Sequence, residues 1–450
     1  LAPSLKFRVA NEVEIARINL LEASDEDLKK ILYFEKDYWL SQGKNNALYS
    51  LIGNRPRAEP ISVRLLEDMI LWRNIFRKNI FNFALKNKID MDDEEQKLQL
   101  EQEMQKFIDR LIFICFCEDK ELNDPTLLSL LTSKKDEKFY HREEYLLKKI
   151  RDEFEKYRKI YDSDLFRKSL CDELFIEEDK LFKVLEDLRQ PKGRLPPDFK
   201  SIETDILGGV YENFLGHLTT RGGKEKEDIG KRKKEGIYYT PKYIVDYIVN
   251  NTVREAVKGK SFEDIKKIKI LDPACGSGSF LLRAYDVLVE EASKAKKDLN
   301  YEDKKELMLN CIYGVDLDER AVEIAKLNLS LKMAEGGKSL PMMNENIRIG
   351  NSLIDDKEIA KFKAFVWKDE FEEIIGNGGF DVVIGNPPYI FARGEKFNDK
   401  EKEYYYNKYK LQSYQINTYS LFVEQGYNLL RDKGFFGFII PNNWLTISSF

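Results

Sequence analysis

"ILDPACGSGSF", residues 270 to 280, closes a short apolar run with an acid and then turns on two glycines. The run 268–271 has the look of a strand, and the residues after it read as a turn into a helix. Gly276 and Gly278, set among the small Ala274, Cys275, Ser277 and Ser279, let a ligand approach the backbone at a helix N-terminus. No GxxxxGK[ST] sequence is present, so a triphosphate cradle is not the natural reading. Working outward, the same grammar repeats. "CIYGVDLD" (311–318) is a strand ending in acid, followed by a helix with Val322, Ala325 and Leu329 on one face. "IRIG" (347–350), "FDVVIGN" (380–386) and "FFGFIIP" (435–441) are further strand candidates. Strands alternating with helices imply an α/β, Rossmann-like sheet, mostly parallel, with ligands at the strand C-terminal ends.

Upstream the pattern is helical. Leu65, Met69, Trp72, Phe76 and Ile80 share one helix face, as do Leu100, Met104, Phe107, Leu111 and Ile114. Charged amphipathic segments follow near 143–160 and 177–188, then a break at "RQPKGRLPPDFK" (189–200). The expected organisation is therefore an all-helical domain over 1–200, a helix and basic linker over 201–235, and the α/β domain over 236–450. The start at Leu1 and the stop at Phe450 suggest a piece of something longer, lacking the last strands of its sheet.

Composition narrows the class. The 450 residues are 42% hydrophobic, ample for real cores, and 34% charged with a net charge of −5. That near balance neither requires nor excludes a nucleic-acid groove. Two histidines leave little for histidine metal sites or relays, and no metal site is expected. Five scattered cysteines suit a reducing compartment, with Cys115 and Cys117 in an apolar helical pattern that suits packing. No apolar run has the length of a membrane span and no signal peptide opens the chain, which makes a cytoplasmic protein the expectation.

The chemistry gathers at strand ends. Asp316 closes its strand where an acid can accept hydrogen bonds from a ribose diol. Asp272 lies too far from it in sequence for the roughly 20-residue dinucleotide fingerprint, so an adenosine-containing ligand other than NAD is the better reading. Asn351, in "IGNSL" (349–353), is either an adenine-edge contact or an ordinary turn residue. In "GNPPYI" (385–390), Pro387 and Pro388 fix φ and lack an N–H, so they hold the Asn386 oxygen and the Pro387 carbonyl as rigid acceptors. An exocyclic amino group on a base is a poor nucleophile because its lone pair enters the ring. Two acceptors on its N–H bonds would favour tetrahedral geometry and stabilise charge built up during attack. Tyr389 can stack on a base removed from its helix.

These stretches, in order with "GIYYTPKYIVDYIV" (236–249) and "YSLFVEQGYNLL" (419–430), resemble amino-methylating DNA methyltransferases of the gamma class. The resemblance implies methylation of a flipped-out adenine at N6 in double-stranded DNA, with S-adenosylmethionine as cofactor. It implies that Thr240 contacts the methionine end, beside the 274–278 backbone with Ala274, Gly276 and Gly278. It further implies that Asp272 orients the cofactor's amino group, Asp316 holds the ribose, Leu317 is a further cofactor contact, and Asn351 meets the adenine. Asn386, Pro387, Pro388 and Tyr389 are its implied catalytic residues.

The helical half, with "ILGGVYENFLGHLT" (206–219), is similar to the connector of type IIG restriction–modification enzymes. In the parent protein this implies a nuclease domain upstream and a target-recognition domain downstream. "PPDFK" (196–200) and Glu118–Asp119–Lys120 imitate a metal-dependent nuclease motif, but such triplets are expected by chance in so charged a chain. Tyr404, Tyr405, Tyr406, Tyr409, Tyr414 and Tyr419, with nearby lysines, suit either a DNA clamp or a packed segment. Two other classes share parts of the pattern: methyltransferases of a glutamine side chain or an rRNA base, and an inactive cofactor-binding scaffold.

Overall fold

A computed structural model describes residues 4–8, 14–19, 61–87, 89, 94–132, 145–161, 164–191, 197, 199, 240–335, 338, 340–390, 397–410 and 416–442. The expected linker over 201–235, "GIYY" and both histidines lie outside these residues. The chain forms two compact units, Leu1–Arg64 and Leu65–Phe450. In the first, β1 (Ser4–Arg8) and β2 (Glu14–Asn19) pair antiparallel, Ser4 opposite Asn19. This departs from the all-helical expectation for residues 1–200. Runs of five or six residues carry too little periodicity to stand against the long helical pattern that follows.

Helices α1 (Ile61–Lys86) and α2 (Glu94–Asp119) turn the expected apolar faces inward. Leu65, Met69, Trp72 and Phe76 are buried, as are Leu100, Met104, Phe107, Leu111 and Ile114. Phe76 meets Phe107 edge-on at 5.8 Å, and Phe107 meets Phe154 at 5.1 Å. Phe154 comes from α4 (Tyr145–Tyr161), which follows the short α3 (Thr126–Thr132) and precedes α5 (Glu178–Arg189). Arg110 lies wholly inside this core. Its guanidinium donates to the Leu165 and Arg167 carbonyls and to Asp172, each at 2.8 Å. Glu118 and Asp119, from the nuclease-like triplet, both bind Arg189, and Asp119 also accepts the Phe199 N–H. Those carboxylates hold the helical half together. Cys115 and Cys117 are buried packing residues.

The second half is a parallel sheet of five strands, β3 (Ile270–Asp272), β4 (Ile312–Asp316), β5 (Ile347–Ile349), β6 (Phe380–Gly385) and β7 (Leu430–Phe438), in the order β5-β4-β3-β6-β7. Alternate residues serve opposite faces, as strand geometry requires. Ile270, Ile312, Val382 and Ile384 pack with α6 (Lys242–Asn251), α7 (Val253–Val257), α8 (Ser279–Ala295), α9 (Tyr301–Cys311) and α10 (Glu319–Met333). Leu271, Val315, Phe380 and Val383 pack instead with Phe365, Trp367, Phe371, Ile374 and Leu429. β7 begins five residues before the expected 435, because a two-residue step on β6 (Phe380 to Val382) is matched by a five-residue step on β7 (Leu430 to Phe435). The chain runs from β3 outward to β5 and then crosses back to β6 on the other side of β3. That reversal is a topological switch point, where open α/β sheets bind ligands.

Candidate active site

Asp272, Asp316, Asn351 and Asn386 sit at one edge, at or just beyond the C-terminal ends of β3, β4, β5 and β6. Asp272 ends β3 and is 1% exposed. The chain then turns through Gly276 (φ +51°) and Gly278 (φ +88°), backbone that a side chain would strain. A Cβ at Gly276 would meet nothing within 4 Å, whereas one at Gly278 would press on Ala325 at 3.3 Å. The turn is thus open on one side and packed on the other. Asn328, buried on α10, donates to the Ser277 carbonyl at 3.0 Å and fixes the turn from below. The sequence reading did not single out Asn328, since a helical asparagine carries no local signal.

Asp316, at the end of β4, accepts the Gly276 N–H at 2.9 Å through one carboxylate oxygen and the Asp318 N–H at 2.9 Å through the other. Each oxygen keeps a further lone pair for a hydroxyl. Asp272 accepts the Ala274 N–H at 3.0 Å. No basic side chain among the described residues forms an ion pair with either acid. Burial pushes Asp272 up to about 8, opposed by the Ala274 N–H and reinforced by the charge of Asp316. Burial also raises Asp316, against the Asp318 and Gly276 N–H groups. A buried and a half-buried carboxyl, neither paired with a cation among the described residues, suit a ligand with a positive end and a diol.

The catalytic-loop candidates begin where β6 stops. Gly385 (φ +150°) has Asp272 Oδ1 only 2.5 Å from where a Cβ would lie, so glycine is what lets β6 pass the buried acid. Asn386 donates from Nδ2 to Thr240 Oγ1 at 3.0 Å. Tyr389 Oη lies 2.7 Å from Asn386 Oδ1 and 2.6 Å from the Ile439 carbonyl, and its one proton serves one of them at a time. The Tyr389 ring stands edge-on to Tyr419 at 6.1 Å. Pro387 is buried. The Pro388 carbonyl accepts from Thr418 Oγ1, which also accepts the Ile390 N–H at 2.9 Å. Thr418 opens α12 (Thr418–Leu429), whose N-cap is Asn417. Sequence reasoning missed both Thr418 and Ile439 as supports of this loop. Thr418 stands one residue before the quoted "YSLFVEQGYNLL", and only a three-dimensional contact ties it to Pro388.

The structure brings Thr240, Asp272, Asp316, Asn386 and Tyr389 to this edge, with Ala274, Gly276 and Gly278 in the turn between. Leu317 follows Asp316 and is 49% exposed, and its carbonyl accepts from Lys363. Asn351 is partnered within the protein: Oδ1 accepts the Leu353 N–H at 3.0 Å. That is turn geometry, with one lone pair of Oδ1 left over. The tyrosine-rich segment divides. Tyr405 and Tyr409, on and just after α11 (Asp399–Lys408), are buried with Tyr419, and Tyr409 donates to the Leu353 carbonyl at 2.8 Å. Tyr404 bonds Asp355. Only Tyr406 of the described group is exposed, so the packed reading holds for the rest, and Tyr414 lies outside the described residues.

Residues 310–450 match the family described as Eco57I restriction-modification methylase, and residues 265–345 match the RMKL-like methyltransferase domain. Both matches fall within the α/β half. The chain is similar to the type II restriction enzyme and methyltransferase RM.Eco57I of Escherichia coli, 30% identical over 85% of this chain and 40% of that protein. The adenine-specific methyltransferase PglX of Streptomyces coelicolor is 29% identical over 48% of this chain and 19% of its own length. The chain thus spans well under half the length of these relatives. Among solved structures, the type IIL restriction–modification enzyme MmeI, determined in complex with DNA, superposes with a TM-score of 0.53 at 16% identity. It covers 81% of this chain and 48% of its own. That likeness shows a shared fold. No helix among the described residues is long and apolar enough to cross a membrane.

Proposed function

We propose that the methylase domain transfers a methyl group from S-adenosylmethionine to the N6 amine of a flipped-out adenine in double-stranded DNA. The observation that carries this reading is the meeting of two strand ends. Gly385 passes directly over the buried carboxyl of Asp272 and Asn386 follows it in the chain, so cofactor-type and amine-activating residues share one edge. PglX is named adenine-specific, and that specificity comes to this chain as part of the proposal. So do the nuclease and target-recognition domains of a longer parent, in keeping with a relative named as both restriction enzyme and methyltransferase.

Asp316 holds the ribose diol, Asp272 faces the cationic methionine end, and the open side of the Ala274–Gly278 turn lets the ligand lie against the backbone. Leu317 lines the adenine side, with Asn351 beside it. When bound, the cofactor supplies an electrophilic methyl group. Asn386 Oδ1 and the Pro387 carbonyl accept the two N–H bonds of the target amine and favour the charge that develops on nitrogen. Pro388 stiffens the loop and Tyr389 stacks on the base. Bound beside these acceptors, the cofactor would supply the methyl group to the amine's lone pair, and the surplus proton of the amine would pass to water.

Titration calorimetry with S-adenosylmethionine, repeated on Asp316→Ala, tests the cofactor half. Binding that weakens about tenfold or more in the variant supports it, as loss of a charged hydrogen-bond acceptor should. Labelled-methyl transfer to DNA, with the product nucleoside identified, tests the rest. Label found in protein or RNA but never in DNA adenine would overturn the substrate assignment.

A further inference from the structure

The carboxamide of Asn386 has two ends of nearly equal size and opposite hydrogen-bonding character. The proposed chemistry works only if the oxygen end faces the target amine. A backbone fixed by prolines does not decide this, because rotation about the last side-chain bond is free of it. Something must hold the nitrogen end.

We propose that Thr240 is that positioning residue, an inference that rests on the methyl-transfer reading above. Thr240 is 7% exposed and sits immediately before Pro241, whose carbonyl starts α6 by accepting the Ile244 N–H at 2.9 Å. Its hydroxyl oxygen is therefore carried by the backbone at the root of a helix. It takes an N–H from Asn386 Nδ2 at 3.0 Å across a sequence distance of 146 residues. The other end of the carboxamide is held differently. Tyr389 Oη lies 2.7 Å from Asn386 Oδ1, but the Ile439 carbonyl is 2.6 Å from the same hydroxyl. The Ile439 segment is itself fixed, because its N–H donates to the Gly385 carbonyl at 3.1 Å. Tyr389 can thus hand its proton to Ile439 and release Oδ1 to an incoming amine without losing a hydrogen bond. Thr240 is the fixed grip and Tyr389 the releasable one. The same arrangement makes Thr240 the point where the cofactor side of the edge touches the base side.

The test uses the full chain, wild type and with Thr240→Val, which keeps the shape and removes the oxygen, and Thr240→Ser, which restores it. Selective 15N-asparagine labelling gives the Asn386 side-chain amide signal, assigned by its loss in Asn386→Ala. The expected result is a shift and faster proton exchange of that signal in Thr240→Val, reversed in Thr240→Ser. Methyl transfer to DNA at saturating S-adenosylmethionine should fall about tenfold in kcat in Thr240→Val, by more than any loss of cofactor affinity, and return in Thr240→Ser. An unchanged amide signal in Thr240→Val would overturn the positioning role. Cofactor affinity falling in step with kcat would overturn it too and make Thr240 a cofactor contact. If the amide responds as expected while the wild type methylates no DNA, the grip stands and the methyl-transfer reading fails.

Discussion

The helical half and the methylase edge bury charge in opposite ways. Arg110 is enclosed with three acceptors, one of them Asp172. Burial alone would raise Asp172, yet the Ser169 N–H and the two arginines around it hold it below the usual carboxylate range. At the methylase edge, Asp272 is enclosed with one backbone N–H and an acidic neighbour, and it is pushed far above that range. The first arrangement completes itself on folding. The second has no cation paired to it among the described residues, and strongly shifted groups of that kind cluster at functional sites.

Arg110→Ala should give the largest effect, because it empties a fully buried site, leaves Asp172 with Arg158 as its one remaining arginine and removes the donor to two carbonyls. A loss of about 3–5 kcal/mol in denaturant unfolding of the helical half is expected. A loss under about 1 kcal/mol would break the contrast, placing this charge in the same class as a surface pair.

Asn386→Ala comes next, read on the reaction alone. Methyl transfer should fall about 10²-fold or more with cofactor affinity nearly unchanged. Equal loss of cofactor binding, measured by calorimetry, would make the asparagine structural.

Asp272→Asn sharpens the comparison most directly. A carboxyl whose folded value is about 8 stabilises the empty protein fully below its unfolded value. That contribution is then lost as pH rises from about 4 through the folded value. The asparagine variant lacks this slope. At pH 8 it should be more stable than the wild type by roughly 1–3 kcal/mol in thermal unfolding, while binding S-adenosylmethionine more weakly. A variant less stable at pH 8 would show that the acid serves the fold. The smallest effect belongs to Tyr406→Ala, exposed on α11, where stability should change by less than about 0.5 kcal/mol. A loss in DNA affinity there would restore one member of the aromatic clamp.

Much of this was legible in one dimension because the signals are local. The faces of α1 and α2 follow from spacings of three and four. The β3 turn follows from an acid, small residues and two glycines within a few positions, and the Asn386 loop from two adjacent prolines. The β1–β2 pair and the early start of β7 were not legible, since short strands take their partners from elsewhere in the chain. Nor was the fate of the tyrosine-rich segment. Tyr405 and Tyr409 carry the same side chain as Tyr406, and only helix phase against Leu353 and Gln425 separates packed from exposed.

By itself the sequence determined the order of strands and turns, and with it the class of ligand edge, because turn chemistry and periodicity act between near neighbours. The tertiary structure alone decided what meets across that edge. Thr240 reaches Asn386, Tyr389 chooses between Asn386 and Ile439, and Thr418 staples Pro388. These contacts join residues that are tens to more than a hundred positions apart. Hydrogen-bond partners at such separations are set by the winding of the sheet, which no local pattern encodes.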